Sequence, residues 1–179
     1  MTRTKTRRRL EGPRVRLAPL QPADSPALFR WINDRELVIF NAGFRPVHAG
    51  QHAAWMKRIM TTPDVAIFAI RLKRSDRLVG VCQLHSISSV HRSAELQIRI
   101  GEAGARGRGY GTEAVRLLVD FAFRDLNLHR VWLRVFRSNT RALKTYAAAG
   151  FVREGVMRDA VFVDGRFVDV VVMRKLHRA

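Results

Sequence analysis

A glycine-rich segment, Arg106-Gly107-Arg108-Gly109-Tyr110-Gly111, carries the residues best suited to chemistry. Three glycines leave the backbone open to a close ligand, because no Cβ shields its amide groups. The segment joins a strand-like run to a helix-like run, so unpaired N–H groups and the positive end of the helix dipole would face one guest. With the charges of Arg106 and Arg108 added, the natural guest is a pyrophosphate.

The spacing of these glycines argues against the two commonest nucleotide-binding loops. There is no Gly-x-Gly-x-x-Gly, and no Gly-Lys-Ser/Thr ending that would hold a triphosphate with its magnesium. Glycine turns are also frequent without any ligand. From these residues alone, a phosphate site and a plain tight connection stay equally open.

The elements that position this segment are predicted from the period of the apolar residues. Residues 94–100 alternate strictly, which is typical of a strand with one buried face. From Thr112 to about Asp125 the apolar residues recur at helical spacing. Further strands are predicted over 15–20, 65–72, 78–85 and 131–136, and a closing hairpin over 161–168 with Asp164-Gly165 as its turn.

Three more helices are predicted, over residues 27–32, 51–60 and 139–149. Gly150 stops the last one, because its missing Cβ suits a left-handed cap. The polar connection 73–77 predicts an antiparallel hairpin, whereas other connections cross over. The order therefore predicts an α+β (α/β) fold with a mixed sheet flanked by helices.

Composition bounds the class of protein. The 179 residues fit one domain, which we place at 13–179 after a disordered basic tail, 1–12. The net charge of +18 would favour nucleic-acid binding, but 28 arginines are scattered along the whole chain. No apolar run approaches the roughly 20 residues of a membrane span, and no secretory signal is evident. We expect a soluble, cytoplasmic protein.

The cysteine and the histidines give no sign of a catalytic or metal-binding role. Cys82, the only cysteine, lies in a strand-like run, where a small buried thiol is commoner than a nucleophile. The histidines, among them His85, His91 and His129, show no ligand spacing. The sequence therefore predicts no metal site.

Two motifs, in the order that a known family has them, resemble that family's conserved blocks. Arg106-x-x-Gly109-x-Gly111 looks like the Arg/Gln-x-x-Gly-x-Gly/Ala coenzyme A signature of the GNAT acetyltransferases. Downstream, Asn139-x-x-Ala142-x-x-x-Tyr146-x-x-x-Gly150-Phe151 is similar to that superfamily's second conserved block. The resemblance covers roughly residues 14 to 176 and is strongest toward the ribosomal-protein N-terminal and spermidine acetyltransferase branch.

The resemblance implies a fold and a cofactor. The fold would be a mostly antiparallel sheet of about seven strands with about four helices and a splay between strands 4 and 5. The cofactor would be acetyl-CoA, with no metal and with its pantetheine along Ile98, Arg99 and Ile100. Its pyrophosphate would lie at the segment from Arg106 to Gly111, with Asn139 as a further contact.

The resemblance also implies a reaction, the direct attack of a primary amine on the thioester in a ternary complex. Tyr146 matches the family's general acid, although its helix face equally suits a core tyrosine. Asn139 suits a helix N-cap as well as a cofactor contact. Glu95, on the polar face of the strict strand, is the best candidate for the general base, and pairing with an arginine is as good a role for it.

These motifs do not identify the amine that accepts the acetyl group. A protein N-terminus, an amino sugar, an antibiotic and a polyamine all fit, with residues 34–55 and the closing hairpin shaping the choice. The excess of basic residues disfavours a polyamine globally. The alternative function is a non-catalytic module that binds RNA or the ribosome, and the basic tail could make weak nucleic-acid contacts. Monomer and homodimer are both open.

Overall fold

A seven-stranded mixed sheet organises residues 10–40 and 42–178, the part of the chain that the computed structural model describes. Its strands are β1 (Val15–Pro19), β2 (Ala66–Leu72), β3 (Leu78–Ser88), β4 (Ser93–Ile100), β5 (Arg130–Phe136), β6 (Val152–Val163) and β7 (Arg166–Leu176). The order across the sheet is β1-β2-β3-β4-β5-β7-β6. Every neighbouring pair is antiparallel except β4 and β5, which confirms the predicted mixed sheet.

Five helices flank this sheet in the described ranges. They are α1 (Ser25–Ile32), α2 (Arg35–Val38), α3 (Ala49–Ile59), α4 (Tyr110–Arg124) and α5 (Thr140–Ala148). The sequence did not predict α2, because a single turn is too short to show a helical period. Asp34 caps it, with its side chain accepting a hydrogen bond from the N–H of Leu37. No helix in these ranges has the length and apolar character that a membrane span requires.

The strands β4 and β5 separate soon after they meet. Their parallel pairing covers three register positions, from Ser93 opposite Arg130 to Glu95 opposite Trp132. Beyond Glu95, β4 still pairs with β3 as far as Ile100, whereas β5 pairs with β7 along its whole length. The edge of β4 that faces β5 is therefore open, as the predicted splay requires.

The main core lies between the sheet and α4. Ala94 and Leu96 of β4 are buried there against Ala114 and Leu118 of α4, as the strict alternation predicted. A smaller cluster covers the opposite face of the sheet, where Trp31, Leu37 and Met56 from α1, α2 and α3 pack with Ala69 of β2. Helices thus cover both faces, and α2 lies on the face away from α4.

The closing hairpin is longer than predicted. Asp164 and Gly165 form its turn with φ of +53° and +79°, as the Asp-Gly signal indicated. Its strands, however, extend back to Val152 and on to Leu176. Irregularities in register between β6 and β7 interrupt the alternation of β6, so the period-2 pattern is visible only near the turn. Gly150, with φ of +88°, ends α5 as predicted.

The chain is already packed at Leu10, earlier than the expected start of the domain. Leu10 contacts the main core, and its carbonyl accepts a hydrogen bond from the N–H of Leu17. Gly12 N–H donates to the carbonyl of Val15. Residues 10–12, which the sequence assigned to the tail, therefore contact the sheet. The basic run from Arg3 to Arg9 lies outside the described residues.

Candidate active site

A cleft of about 580 Å³ opens where β4 and β5 separate. The end of β4 contributes Ile98, Arg99 and Ile100 to its wall. The turn that follows contributes Arg106, Gly107, Gly109 and Gly111, and α5 contributes Asn139 and Tyr146. The structure thus brings nine of the twelve residues singled out from the sequence to one cavity. Glu36, Leu37 and Phe40 close its far side.

The glycine turn has a backbone that only glycine adopts easily. Gly107 and Gly109 have φ of +76° and +79°, in the left-handed region. A Cβ on Gly107 would lie 2.6 Å from Nη2 of Arg141. Gly109 is the N-cap of α4, and its carbonyl accepts the first helical hydrogen bond from the N–H of Glu113. The amides before Glu113 have no partner within the helix and are available to an anion.

Arg106 holds this turn in place. Its Nε donates to the carbonyl of Ile100 at 3.1 Å, and its Nη2 donates to the carbonyl of Gly101 at 2.7 Å. The sequence had assigned the guanidinium to the ligand alone. In the structure the guanidinium also fastens the turn to the end of β4, while its charge stays in the cleft wall.

Arg108 and Tyr110 do not line the cavity. The carbonyl of Arg108 accepts a hydrogen bond from Nη1 of Arg14 at 2.8 Å. The guanidinium of Arg14 lies over the Tyr110 ring, 5.4 Å from its centroid. These two residues therefore join the turn to the start of β1, a role that the sequence did not indicate.

Two cations of α5 were missed. Arg141 and Lys144 line the cleft beside the glycine turn, and both are exposed. They lie three residues apart and follow Asn139, so the helical period already placed them on one face beside a residue that the sequence had singled out. Together they provide the positive charge that the turn was expected to receive from Arg108.

Asn139 has a capping role. Its Oδ1 accepts a hydrogen bond from the N–H of Ala142 at 3.1 Å, which caps the first turn of α5. Its Nδ2 donates to the carbonyl of Phe40 at 3.2 Å. One side chain thus joins α5 to the segment after α2, on the opposite wall of the cleft.

Tyr146 lines the cleft although only 5% of it is exposed. Its ring packs edge-to-face against Phe151, with 6.0 Å between centroids. Burial raises the pKa of Tyr146 to about 12, because the phenolate would lose its hydration. The phenol therefore keeps its proton at neutral pH and can donate it or a hydrogen bond.

Glu95 lies outside the residues that line the cleft. It is buried, and its two oxygens accept from Nε and Nη2 of Arg134 at 2.9 and 3.1 Å. Its hydrogen bonds raise the pKa of Arg134. Nε2 of His85 lies 3.8 Å from the same carboxylate. Of the two roles considered for Glu95, the structure shows the ion pair with an arginine.

Cys82 is a core residue. It is 1% exposed within the main core, and burial raises the pKa of its thiol. The structural role predicted for it therefore agrees with its position. Within residues 10–40 and 42–178, no three His, Cys, Asp or Glu side chains form a group that could hold a metal ion.

The left-handed backbone at Gly109 leads to a stability prediction. We expect Gly109→Ala to lower the free energy of unfolding by about 1–2 kcal/mol, because an L-residue is strained there. The added Cβ would also lie 3.0 Å from Nη2 of Arg14. Urea denaturation measures the loss. Gly104→Ala is the control, since a Cβ at Gly104 has no atom within 4 Å, and equal stability of the two variants would contradict the prediction.

The ion pair of Glu95 leads to a second prediction. Glu95→Gln should lower the free energy of unfolding by about 1–3 kcal/mol, because the buried side chain of residue 95 loses its charge-assisted hydrogen bonds from the half-exposed Arg134. Glu154→Gln is the matched control. It breaks a similar two-oxygen pair with Arg130 at a more exposed position, where we expect a smaller loss. Urea denaturation measures the loss of stability in both variants. A larger loss in Glu154→Gln than in Glu95→Gln would show that Glu95 is not a structural anchor.

Known proteins share this architecture. A model of the acetyltransferase (GNAT) domain family matches residues 14–152. The chain is 33% identical over 111 residues to an uncharacterised N-acetyltransferase, p20, of Bacillus licheniformis, covering 62% of each chain. It is 38% identical over 93 residues to the spermidine N(1)-acetyltransferase of Vibrio cholerae, covering 52% of this chain and 53% of that one. The chain thus spans about half to three fifths of the length of these curated relatives.

A solved structure agrees over almost the whole chain. The spermidine N-acetyltransferase of Vibrio cholerae, in complex with CoA and spermine, superimposes with a TM-score of 0.86 at 26% identity. The match covers 92% of this chain and 96% of that one. The family model, the relatives and the splayed sheet agree, and the chain belongs to the GNAT acetyltransferase family.

Proposed function

We propose that this protein is an acetyl-CoA-dependent N-acetyltransferase that transfers an acetyl group to a primary amine by direct attack in a ternary complex. One observation carries the proposal. A helix N-terminus built on left-handed glycines, an open strand edge and a buried tyrosine line the same cleft. These are an anion site, a hydrogen-bonding edge and a proton donor, which are the three parts that a thioester donor with a pyrophosphate needs.

The cofactor fits the cleft from the turn inward. The pyrophosphate binds the amides at the start of α4, and Arg141 and Lys144 neutralise its charge. The pantetheine amides pair with the open edge of β4 between Ile98 and Ile100, as an added strand would. The presence of CoA in the Vibrio cholerae structure supports acetyl-CoA as the cofactor.

The reaction is the aminolysis of a thioester. The nitrogen of the neutral amine attacks the carbonyl carbon, an oxyanion forms, and the C–S bond breaks as the amine loses a proton and the sulfur gains one. Tyr146 acts as the general acid. With a pKa raised to about 12, its phenol stays protonated and donates to the sulfur as negative charge develops there.

The base is less closely defined than the acid. An amine with a pKa near that of lysine, about 10.4, must lose a proton before it attacks. Glu95 does not line the cleft, and both its oxygens accept from Arg134, so we expect a proton to reach it through an intervening water. The base role of Glu95 stays a prediction, with a water chain as the alternative.

The two segments expected to shape the acceptor side, residues 34–55 and the closing hairpin, contact each other. Arg35 of α2 forms an ion pair with Asp164 at the turn of the closing hairpin. The carbonyl of Phe162 lies 3.5 Å from the position of a Cβ on Gly43. Residues after α2 and the β6–β7 hairpin therefore meet beside Phe40, which lines the cleft. An amine that enters there reaches the open part of the splay.

The acid role of Tyr146 is testable by removing one oxygen. Tyr146→Phe should keep the affinity for acetyl-CoA and lower kcat by about 10²- to 10⁴-fold, the range of general acid catalysis. Because the pKa of Tyr146 is about 12, the wild type should show no loss from its deprotonation below about pH 10. Tyr110→Phe is the control, since Tyr110 does not line the cleft. Unchanged turnover in Tyr146→Phe would limit Tyr146 to packing.

The proposed function as a whole is tested by binding and then by turnover. Calorimetry should show acetyl-CoA binding to the wild type, and a thiol-release screen should then identify amines that are acetylated. No detectable binding at millimolar acetyl-CoA by a folded protein would overturn the proposal. That result, combined with steeply salt-dependent RNA affinity, would favour the binding-module alternative.

A further inference from the structure

Arg99 lies in the cleft wall with no partner among the residues that the structure describes. No hydrogen bond or ion pair joins its guanidinium to another described residue, and its Nε is buried and unpaired. Two other arginines that lie beside buried carboxylates are satisfied, Arg71 by Asp24 and Arg134 by Glu95. Arg99 therefore differs from both in having no acidic partner among residues 10–40 and 42–178.

A partly buried guanidinium without a hydrogen-bonding partner is costly. Removing a charge from water costs free energy that only a counter-charge or hydrogen bonds can return. Burial accordingly lowers the pKa of Arg99. Buried donors in native proteins are nearly always satisfied, so the Nε of Arg99 needs an acceptor that water or a ligand supplies in the cleft.

The sheet register shows which side of the cleft Arg99 faces. Arg99 lies opposite Val81 of β3, and Val81 lies opposite Ala69 of β2, so the three side chains share one face. Ala69 belongs to the cluster that packs beneath α1, α2 and α3. Arg99 therefore projects toward the face that α2 covers.

The glycine turn lies on the other face. Ile98 and Ile100 alternate with Arg99 and pack against the core under α4. Ile100 lies 3.6 Å from the position of a Cβ on Gly111, in the first turn of α4. The site for the cofactor pyrophosphate and the guanidinium of Arg99 are thus separated by the strand itself.

Among the components of the proposed ternary complex, the second substrate is the one that can supply a counter-charge to Arg99. The pantetheine and thioester that would run along β4 are neutral, and the anionic groups of CoA bind at the turn, where Arg141 and Lys144 already neutralise them. Glu36, the carboxylate that lines the same cleft, forms no ion pair with Arg99. The acceptor is the remaining source of an anion.

We propose that the acceptor is a primary amine that also carries an oxyanion, a carboxylate or a phosphate, and that Arg99 binds this group. The inference rests on the proposed acetyl transfer and adds the chemical class of the acceptor. A planar guanidinium suits either oxyanion, because it donates two parallel hydrogen bonds. The same charge repels a polyamine, so Arg99 would select against spermidine as the acceptor.

Matched amines test the preference. Thiol release should be measured with glucosamine against glucosamine 6-phosphate, with butylamine against 4-aminobutyrate, and with spermidine. We expect the anionic member of at least one pair to show a kcat/KM about 10- to 100-fold above its neutral partner, the range for a hydrogen bond to a charged group. The pair that responds distinguishes phosphate from carboxylate. Equal values within both pairs, or a preference for spermidine, would overturn the proposal.

Arg99 variants test the residue. Arg99→Met should remove the preference by lowering kcat/KM for the anionic amine alone, and Arg99→Lys should restore part of it. Arg74→Met is the control, since Arg74 is exposed in the β2–β3 connection, away from the cleft. An equal loss on neutral and anionic amines in Arg99→Met would show a structural role and overturn the assignment.

A binding measurement separates this proposal from the proposed function. Failure of acetyl transfer appears as no binding of acetyl-CoA and no thiol release. The Arg99 site is then still testable, by calorimetry of glucosamine 6-phosphate and of 4-aminobutyrate with wild type and Arg99→Met. Binding that the variant loses supports the oxyanion site. Absent binding, or equal binding to both proteins, overturns it.

Discussion

The parting of β4 from β5 is the constraint on which the rest of the molecule depends. A strand in the middle of a sheet normally satisfies its N–H and C=O groups on both sides, but β4 loses one neighbour after three positions. Its other side stays paired with β3 as far as Ile100. The backbone groups left open are available to a ligand, and the cleft follows from that single break in the sheet.

The ion pair of Glu95 and Arg134 lies at the point of separation. Glu95 is the last residue of β4 that pairs with β5, and it lies opposite Trp132. Arg134 follows Trp132 on β5 and binds Glu95 through its side chain. The guanidinium also lies over the Trp132 ring, 5.7 Å from its centroid. The pair therefore joins the two strands where their backbones stop doing so, and fixes where the opening begins.

Much of the fold could be predicted from the sequence, because most elements have a clear period. The strict alternation of 94–100 and the helical spacing after Thr112 gave β4 and α4 nearly to the residue. The single turn of α2 and the irregular edge strand β6 could not be predicted, since four residues show no period and shifts in register break alternation.

The candidate site also has features that the sequence predicted and features that it did not. Backbone features were predictable, because glycines and an N-cap asparagine have strong local preferences. Side-chain directions were not predictable, because they depend on distant partners. Arg106 turns back to the carbonyls of Ile100 and Gly101, and Arg108 lies outside the cleft. The unpaired state of Arg99 can be recognised only when all the neighbouring acids have been placed.

The two hydrogen bonds of Asn139 have a consequence for the shape of the cleft. One bond holds the start of α5, and the other holds the carbonyl of Phe40 across the opening. Any displacement of the chain after α2 must either carry the amide with it or break one of these bonds. One amide therefore links the position of α5 to that of the chain after α2, and with it the width of the cleft between them.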